Sequence, residues 1–265
     1  MKNIFLLFFF CFFLPISAQN LKIVAIHINS VSNNNNNKQF VGRDQYGYSY
    51  YTENAIFYKI KNQEHWEYKN VSLGSLTKID LNNPLKIVLF YENFNTAVIL
   101  DNQLSETQKI NFSENPDPIT VAAIGIAAQN QLWIYNRLNQ QVGFYDYLKN
   151  TYRTISTPFP ETMVYYQSDF NHFYWIDDKK NAFVCSIYGK ILNLGKVLDF
   201  EWIEFIDESQ YIYRKNNQLF IMDSKQNKNY EIEILEKTFQ KCYYKDQILS
   251  IFTSEGITNY KIITP

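Results

Sequence analysis

The feature that most constrains this chain is a repeated alternation of short apolar runs and polar turns, which continues almost to its last residue. The runs are rich in β-branched and aromatic side chains and are bounded by Asn, Asp, Gly or Ser. Such runs predict β-strands, because branched and aromatic side chains pack well on a pleated sheet while small polar residues favour turns. Helical periodicity is scarce, so we expect an all-β protein.

These runs extend from position 46 to the C-terminus, and each is short enough for one strand of a small sheet. None reaches the ten to twelve residues that separate a buried helix from a strand of similar composition. The predicted strands are Tyr46–Thr52, Ala55–Ile60, Trp66–Lys69, Leu76–Leu81, Lys86–Tyr91, Thr96–Leu100, Gln108–Phe112, Ile119–Ala127, Leu132–Asn136, Val142–Tyr147, Tyr152–Ser156, Val164–Ser168, Phe173–Asp177, Ala182–Ile187, Lys190–Leu194, Trp202–Ile206, Tyr211–Arg214, Leu219–Asp223, Tyr230–Ile234, Phe239–Lys245, Ile248–Thr253 and Ile257–Ile263.

Equivalent runs recur at a regular interval. Aligning the apolar run that follows a polar turn in each group gives six anchor positions, spaced 36 to 45 residues apart. The anchors are Lys59, Asp101, Asp146, Ile187, Asp223 and Tyr260. Four-stranded blades of β-propellers repeat at about 40–45 residues, so the interval predicts one blade for each anchor.

We therefore predict a six-bladed β-propeller of four-stranded antiparallel blades. The last group has only three clear strands, and the N-terminal run Leu21–Ile26 is expected to close that blade as its fourth strand. A single four-stranded sheet cannot cover both of its own faces, so neighbouring blades must bury each other. The 21 Tyr, 21 Phe and 4 Trp side chains are the expected filling between blades.

One group carries a family resemblance. Tyr174–Asp177 has the sequence Tyr-Trp-Ile-Asp and is followed by Asn181, Phe183, Cys185 and Gly189. This stretch resembles a YWTD-type blade, with Ile in place of the usual Thr. The resemblance implies a six-bladed propeller that keeps company with protein-binding modules, and it brings no catalytic residues with it.

The first residues predict an export signal. Lys2 precedes an apolar run from Ile4 to Pro15, whose length fits the roughly 7–15 residues of a signal-peptide core, and Ala18 offers a small residue for cleavage. We predict a signal peptide over residues 1–18 and a single propeller domain over residues 19–265. A retained anchor and a lipoprotein attached through Cys11 are the alternatives. In a Gram-negative bacterium the predicted location is the periplasm or the periplasmic face of the outer membrane, with secretion as a further alternative.

Two cysteines remain after residue 18. Cys185 is predicted on the third strand of the fourth group and Cys242 on the first strand of the sixth, so a whole blade separates them. Disulfide partners need Cα atoms within about 7 Å. We therefore expect two unpaired, buried thiols, despite the oxidising compartment that the signal peptide implies.

No motif predicts a catalytic residue, a cofactor or a metal site. His27, His65 and His172 are isolated from acidic or sulfur partners in the sequence, and the chain lacks a Gly-x-Ser-x-Gly elbow, a phosphate-binding Gly pattern and a His-Glu-x-x-His motif. The formal charge of −1 also disfavours nucleic acid as a partner, since broad phosphate neutralisation needs a basic surface.

Acidic residues raise one enzymatic alternative. The densest carboxylates are the pair Asp177–Asp178 and the cluster Glu201, Glu204, Asp207 and Glu208. A glycoside hydrolase needs two carboxyl groups about 5–10 Å apart. Adjacent residues of a strand point to opposite faces, however, so solvated turn residues are the favoured interpretation of both groups.

Aromatic clusters suggest a binding surface. Tyr46, Tyr48, Tyr50, Tyr174 and Trp175 are candidates to anchor a protein partner or stack on a sugar, since Tyr and Trp are enriched at binding hot spots. Our functional hypothesis is a non-enzymatic, exported propeller that acts as a protein-interaction or scaffold module in the bacterial cell envelope, with another envelope protein or an outer-membrane complex as its partner. The alternative is a glycan-binding or glycan-cleaving propeller that uses channel-facing carboxylates and aromatics.

Overall fold

A computed structural model describes residues 21–32 and 38–264, which fold almost entirely as β-strands. The strands form six antiparallel sheets of four strands each, arranged as the blades of a six-bladed propeller, and one sheet carries a fifth strand. The predicted fold class is confirmed. The predicted signal peptide and the run Asn33–Asn37 lie outside the described residues.

The strands are numbered in chain order, and three single-turn 3₁₀ helices cover Val71–Leu73, Glu92–Phe94 and Phe112–Glu114. The strands are β1 (Leu21–Val24), β2 (Ile26–Ser32), β3 (Gln39–Arg43), β4 (Ser49–Glu53), β5 (Ile56–Lys61), β6 (Glu64–Lys69), β7 (Lys78–Asp80), β8 (Ile87–Tyr91), β9 (Thr96–Leu100), β10 (Glu106–Asn111), β11 (Val121–Ala127), β12 (Gln131–Asn136), β13 (Gln141–Asp146), β14 (Thr151–Thr154), β15 (Met163–Ser168), β16 (His172–Asp177), β17 (Asn181–Ser186), β18 (Ile191–Lys196), β19 (Trp202–Phe205), β20 (Gln210–Lys215), β21 (Gln218–Asp223), β22 (Lys228–Glu233), β23 (Lys241–Lys245), β24 (Ile248–Phe252) and β25 (Gly256–Lys261).

Blades one to five are each built from consecutive strands, and the first strands of blades one, two, four, five and six line the central cavity. Blades one to five consist of β3–β6, β7–β10, β11–β14, β15–β18 and β19–β22, and blade six of β23–β25 with β2. The repeat anchors confirm this division, because four of them lie in third strands and the other two follow directly after one. The recurring anchors of the sequence therefore mark the third strand, or the residue just after it, in each blade.

The N-terminal segment closes the ring, as predicted, but with other residues than expected. Ile26–Ser32 pairs antiparallel with β25 as the fourth strand of blade six, whereas Leu21–Val24 adds a parallel fifth strand to β22 of blade five. The closing strand is the more polar of the two runs. Its Asn29 accepts a hydrogen bond from the buried Asn259 at 2.7 Å, which stabilises a pairing that hydrophobicity alone does not favour.

The innermost strand of blade one, β3, was missed by the strand prediction. Only Phe40 and Val41 in Gln39–Arg43 are apolar, so the run lacks a strand pattern. Gly42 explains its composition: a Cβ there would lie 2.9 Å from both Leu81 Cδ1 and Tyr243 Cε2, so the inner strands are too close for a larger residue. Crowding near the propeller axis, rather than hydrophobicity, sets the sequence here.

The core lies between blades, as the aromatic content predicted. Trp133 of blade three is fully buried, packs 4.4 Å from Phe144 by ring centroids, and donates its indole N–H to the Asp169 carbonyl of blade four at 2.8 Å. Between the same blades Phe159 stacks on Trp175 at 4.1 Å. These rings fill the gap between twisted sheets and join each blade to the next.

The two cysteines are free and buried, which confirms the prediction from blade spacing. Burial raises the pKa of Cys185 to about 11 and, as the leading cause, that of Cys242 to about 12. Because the thiolate is the reactive form, we expect neither thiol to react with a maleimide in the native protein at pH 7.5. Both should be labelled after unfolding in guanidinium without reductant, and an unlabelled pair in intact-mass spectra would contradict the free-thiol structure.

Candidate functional site

A central cavity of about 830 Å³ runs along the propeller axis. Its walls come mainly from the inner strands of blades one, two, four, five and six, and it also reaches the Thr52–Ala55 turn and the Ser75–Thr77 segment. This volume lies within the range of known ligand sites, which are concave and hold a few converging polar groups. The cavity is therefore the candidate functional site.

At one end of the cavity, hydrogen bonds cross between blades that are not neighbours. Asn82 of blade two donates its side-chain amide to the Ser168 carbonyl of blade four at 2.6 Å. Lys245 of blade six donates to the carbonyls of Leu81 and Asn82 at 2.9 and 3.2 Å. All of these residues lie at or just beyond the C-terminal ends of inner strands. This polar layer, which we call the floor, joins blades two, four and six.

The other end, which we call the mouth, lies where the inner strands begin. Gln39, Lys78, Trp202 and Lys241 are the first residues of four inner strands, and all line the cavity. The Thr52–Ala55 turn, which connects the second and third strands of blade one, lies at the same end. Successive strands alternate in direction. The segment that leads into each inner strand and the turn between the second and third strands of a blade therefore both lie on the mouth face.

Side chains close the free backbone edges of the inner strands. Both carboxylate oxygens of Asp80 accept backbone amides, from Asn82 at 2.7 Å and from Ile126 of the next blade at 2.8 Å. Tyr165 donates its hydroxyl to the Ile203 carbonyl at 2.7 Å. An inner strand has no sheet neighbour toward the axis, so these bonds supply partners that its backbone would otherwise lack.

The cavity is rich in charge for the interior of a protein. The inner strands carry four basic and two acidic residues, whereas the whole chain has a formal charge of −1. They are Arg43, Lys78, Lys241, Lys245, Asp80 and Glu204. Of these, Lys78, Lys241, Asp80 and Glu204 line the cavity, together with Glu53 of the Thr52–Ala55 turn. Burial lowers the pKa of Lys78, Lys241 and Lys245 and raises that of Asp80.

Glu204 and Asp80 are the two carboxyl groups that inner strands contribute to this cavity. Burial raises its pKa to about 8, although the Tyr244 amide donates to it at 3.3 Å and the charges of Lys78 and Lys245 favour its ionised form. The hydroxyls of Tyr165, Tyr243 and Tyr244 also lie within its field. A pKa of about 8 predicts that Glu204 is mainly protonated at pH 7 in the folded state.

We expect this proton to make stability depend on pH. The ordinary pKa of the carboxyl group is 4.5, so between pH 4.5 and about 8 the folded state binds a proton that the unfolded state has lost. Raising the pH across this window should lower the free energy of unfolding by about 1–3 kcal/mol through Glu204. Glu204→Gln keeps an acceptor for Tyr244 and should remove that slope.

The measurement is urea unfolding of wild type and variant at pH 5 and pH 8. Glu201→Gln is the matched control, because that exposed carboxylate lies in the same blade, just before its inner strand, 3.1 Å from Arg214 Nε. Equal pH slopes in wild type and Glu204→Gln would show that Glu204 is ionised in the fold.

The predicted aromatic surface is divided by the structure. Tyr50, Tyr174 and Trp175 are buried between strands and blades, so they belong to the core rather than to an exposed surface. Tyr46 is 53% exposed in the turn after β3, and Tyr48 is half-buried with its hydroxyl donating to Glu64. Both lie at the floor end of blade one, away from the mouth. A binding role for this exposed pair stays a prediction.

The predicted carboxylate groups do not converge either. Of the six, only Glu204 lines the cavity. Asp177 and Asp207 accept backbone amides within turns, and Asp178 and Glu208 are exposed. The positions of Asp178, Glu201, Asp207 and Glu208 agree with the favoured interpretation of solvated residues, whereas Asp177 is only 2% exposed and Glu204 lies on an inner strand. The charged lining residues Lys78, Asp80 and Lys241 were missed, because only the arrangement of blades brings them together.

The described residues give no further sign of catalytic chemistry. In residues 21–32 and 38–264 no three His, Cys, Asp or Glu side chains are grouped to hold a metal ion. His27 and His65 are exposed, and His172 lies 3.3 Å from Asp169 in a surface turn. Nor does this part of the chain contain a helix of the length and hydrophobicity needed to cross a membrane.

Comparisons with known proteins identify the fold alone. No family model matches the chain, and no curated protein matches it in sequence. A streptogramin B lyase matches with a TM-score of 0.56 at 10% identity, over 90% of this chain and 98% of that chain. Virginiamycin B lyase from Staphylococcus aureus matches with a TM-score of 0.54 at 11% identity, over 88% and 83%. BBS1N, solved in complex with ARL6DN, matches with a TM-score of 0.55 at 9% identity, over 92% and 98%. Two are lyases and one is bound to another protein, so the fold is compatible with either role.

Proposed function

We propose that this chain is an exported, non-enzymatic propeller that acts as a protein-interaction module in a bacterial cell envelope and holds its partner at the mouth of the central cavity. The observation that carries the proposal is the cavity itself, with interblade hydrogen bonds at the floor and the first residues of four inner strands around the mouth. Export rests on the predicted signal peptide. The partner is then another envelope protein or an outer-membrane complex.

The rigidity of the site supports a binding role. Inner strands of different blades are joined by the floor bonds and by the bonds of Asp80 and Tyr165 to neighbouring blades. A preformed site loses little conformational entropy when a partner binds, so more of the contact energy appears as affinity. The loops at the mouth come from several blades, which gives a partner contacts around the whole opening.

The glycan alternative is favoured by one observation, the tyrosines Tyr165, Tyr166 and Tyr243 that line the cavity beside Glu204. Cleavage needs two carboxyl groups free to act on the substrate. Both oxygens of Asp80 already accept backbone amides, so Glu53 and Glu204 are the two lining carboxyl groups that such a reaction would have to use. A glycan panel tested for turnover and for binding separates the two versions of this alternative.

The direct test is affinity capture with tagged residues 19–265 from an envelope extract of the source organism. We expect a specific protein to be retained and identified by mass spectrometry, with a tagged unrelated propeller as the control. Absence of any specific protein, together with turnover of a glycan, would overturn the proposal in favour of an enzyme.

A further inference from the structure

The outermost strand of blade six is an exposed sheet edge. β2 is the last strand of its sheet, so β25 covers one side of its backbone and no described strand pairs with the other side. All seven residues of Ile26–Ser32 are exposed, and the side chains of Ile26, Ile28 and Val31 are each about half exposed. A long edge with apolar side chains invites a further strand, because its free N–H and C=O groups form a template for pairing.

β2 also lacks the charges that protect such edges. Charged side chains, above all Lys, keep the free edges of native sheets from pairing. Ile26–Ser32 contains no Asp, Glu, Lys or Arg, whereas the outermost strand of every other blade carries at least one of them. Those residues are Lys22 on β1, Glu64, Glu67 and Lys69 on β6, Glu106 and Lys109 on β10, Arg153 on β14 and Lys196 on β18. Among the described strands, the edge of β2 is therefore the one that favours pairing.

The neighbouring blade shows that this protein extends its sheets by adding a strand at the edge. Leu21–Val24 pairs with β22 of blade five, and Ala25 continues the pairing by donating its amide to the Glu233 carbonyl at 3.2 Å. Ala25 alone separates β1 from β2, so one continuous segment covers the edge of blade five and then forms the open edge of blade six. A strand added to β2 would complete the second edge as β1 completes the first.

We propose that β2 pairs antiparallel with β2 of a second copy of this chain, which joins the two blades six into one eight-stranded sheet. The edge matches itself: a twofold axis at Asn29 places Ile26 opposite Ser32 and Ile28 opposite Ser30, in two strands of equal length without a charged residue. Each chain has one such edge among its described strands, so pairing closes at two copies, as in other isologous dimers.

The size of this contact predicts a weak dimer. β2 contributes seven residues, whereas a standard interface has about 20–30 residues a side. We therefore expect dissociation in the micromolar range, at about 1–100 µM. β2 does not line the central cavity, so the dimer leaves that site to its own partner and this inference is independent of the proposed function.

Sedimentation equilibrium of residues 19–265 over a range of protein concentrations tests the dimer. We expect the mass to rise from that of one chain to that of two. Ile28→Lys with Val31→Lys adds the missing edge charges and should weaken the association at least about tenfold. The matched control is Thr151→Lys with Thr154→Lys, which adds the same charges to exposed positions on the outermost strand of blade three and should leave the association unchanged.

Engineered cysteines read the register of the pairing, and they keep the test valid if the Lys variant misfolds. A mixture of Ile28→Cys and Ser30→Cys chains with tags of different length should form a disulfide between the two variants, because these positions lie opposite each other in the dimer. Ile28→Cys alone should cross-link much less. The native cysteines are buried and do not compete. Near-ultraviolet circular dichroism of each variant checks its folding.

A wild type that stays monomeric at every concentration would overturn the inference. A dimer that a folded Lys variant keeps would also overturn it, because another surface would then hold the two copies together. A monomeric wild type whose capture of a partner is lost in the Lys variant would assign the edge to a strand of that partner instead. Failure of a dimeric wild type to capture any partner would contradict the proposed function and leave the dimer intact.

Discussion

Replacing Trp133 by Ala should lower the free energy of unfolding by about 3–5 kcal/mol, because the change removes the largest fully buried side chain and leaves a cavity between blades three and four. The ring centroid lies 4.4 Å from that of Phe144 and 6.0 Å from that of Phe173 of the next blade. The variant also leaves the Asp169 carbonyl without its indole donor. Both losses weaken the packing between blades three and four, and a closed ring depends on such packing between every two neighbouring blades.

Urea unfolding followed by circular dichroism measures this change at a single temperature. Trp133→Phe keeps a ring at the site but loses the hydrogen bond, so its loss should be clearly smaller. Tyr188→Ala, at a side chain that is 90% exposed, should change the free energy of unfolding by less than about 0.5 kcal/mol. A Trp133→Ala variant that unfolds at nearly the wild-type urea concentration would contradict the inter-blade core.

Joining β2 to β25 by a disulfide should give the largest gain in stability. Ser30 is paired with Thr258 across these strands, with their hydroxyl oxygens 3.5 Å apart, so Ser30→Cys with Thr258→Cys places two thiols side by side. The bond would close a loop containing most of the chain. For so long a loop we expect about 3–5 kcal/mol of stabilisation and a rise in Tm of about 8–15 °C.

The reduced form of the same double variant is the internal control for this experiment. Ser32→Cys with Thr258→Cys is the register control, because Ser32 is paired with Gly256 instead. The native cysteines are buried and so do not compete for the bond. Equal cross-linking of both engineered pairs, or none in the first, would show that Ile26–Ser32 does not close blade six in this register.

The number and size of the blades could be predicted because each third strand has the same position in its repeat. Asp146 and Asp223 end such strands in different blades, and each combines strongly apolar neighbours with a polar turn. The N-terminal strands were harder. Ile26–Ser32 is polar, and its pairing depends on partners on β25 such as that of Asn29. The inner strand β3 contains Gly42 because the neighbouring inner strands leave no space for a larger side chain there.

The cavity could not be predicted in the same way. Lys78 and Lys241 lie 163 positions apart in the chain and meet only after the ring has closed. Each follows a turn and precedes an apolar strand, which in isolation indicates a solvated lysine. The aromatic candidates failed for the opposite reason: Tyr174 and Trp175 look suited to a binding surface, but both faces of a blade are covered by its neighbours.

The central claim is that a protein partner binds at the mouth of the cavity, and site-specific photo-crosslinking tests it most directly. A photoreactive phenylalanine analogue is placed at Ser75, which is exposed at the mouth, or at Glu208, which is exposed in the turn after β19 at the floor end. After irradiation in envelope extract, we expect a crosslinked partner from Ser75 and none from Glu208. A partner crosslinked from Glu208 but not from Ser75 would contradict the account.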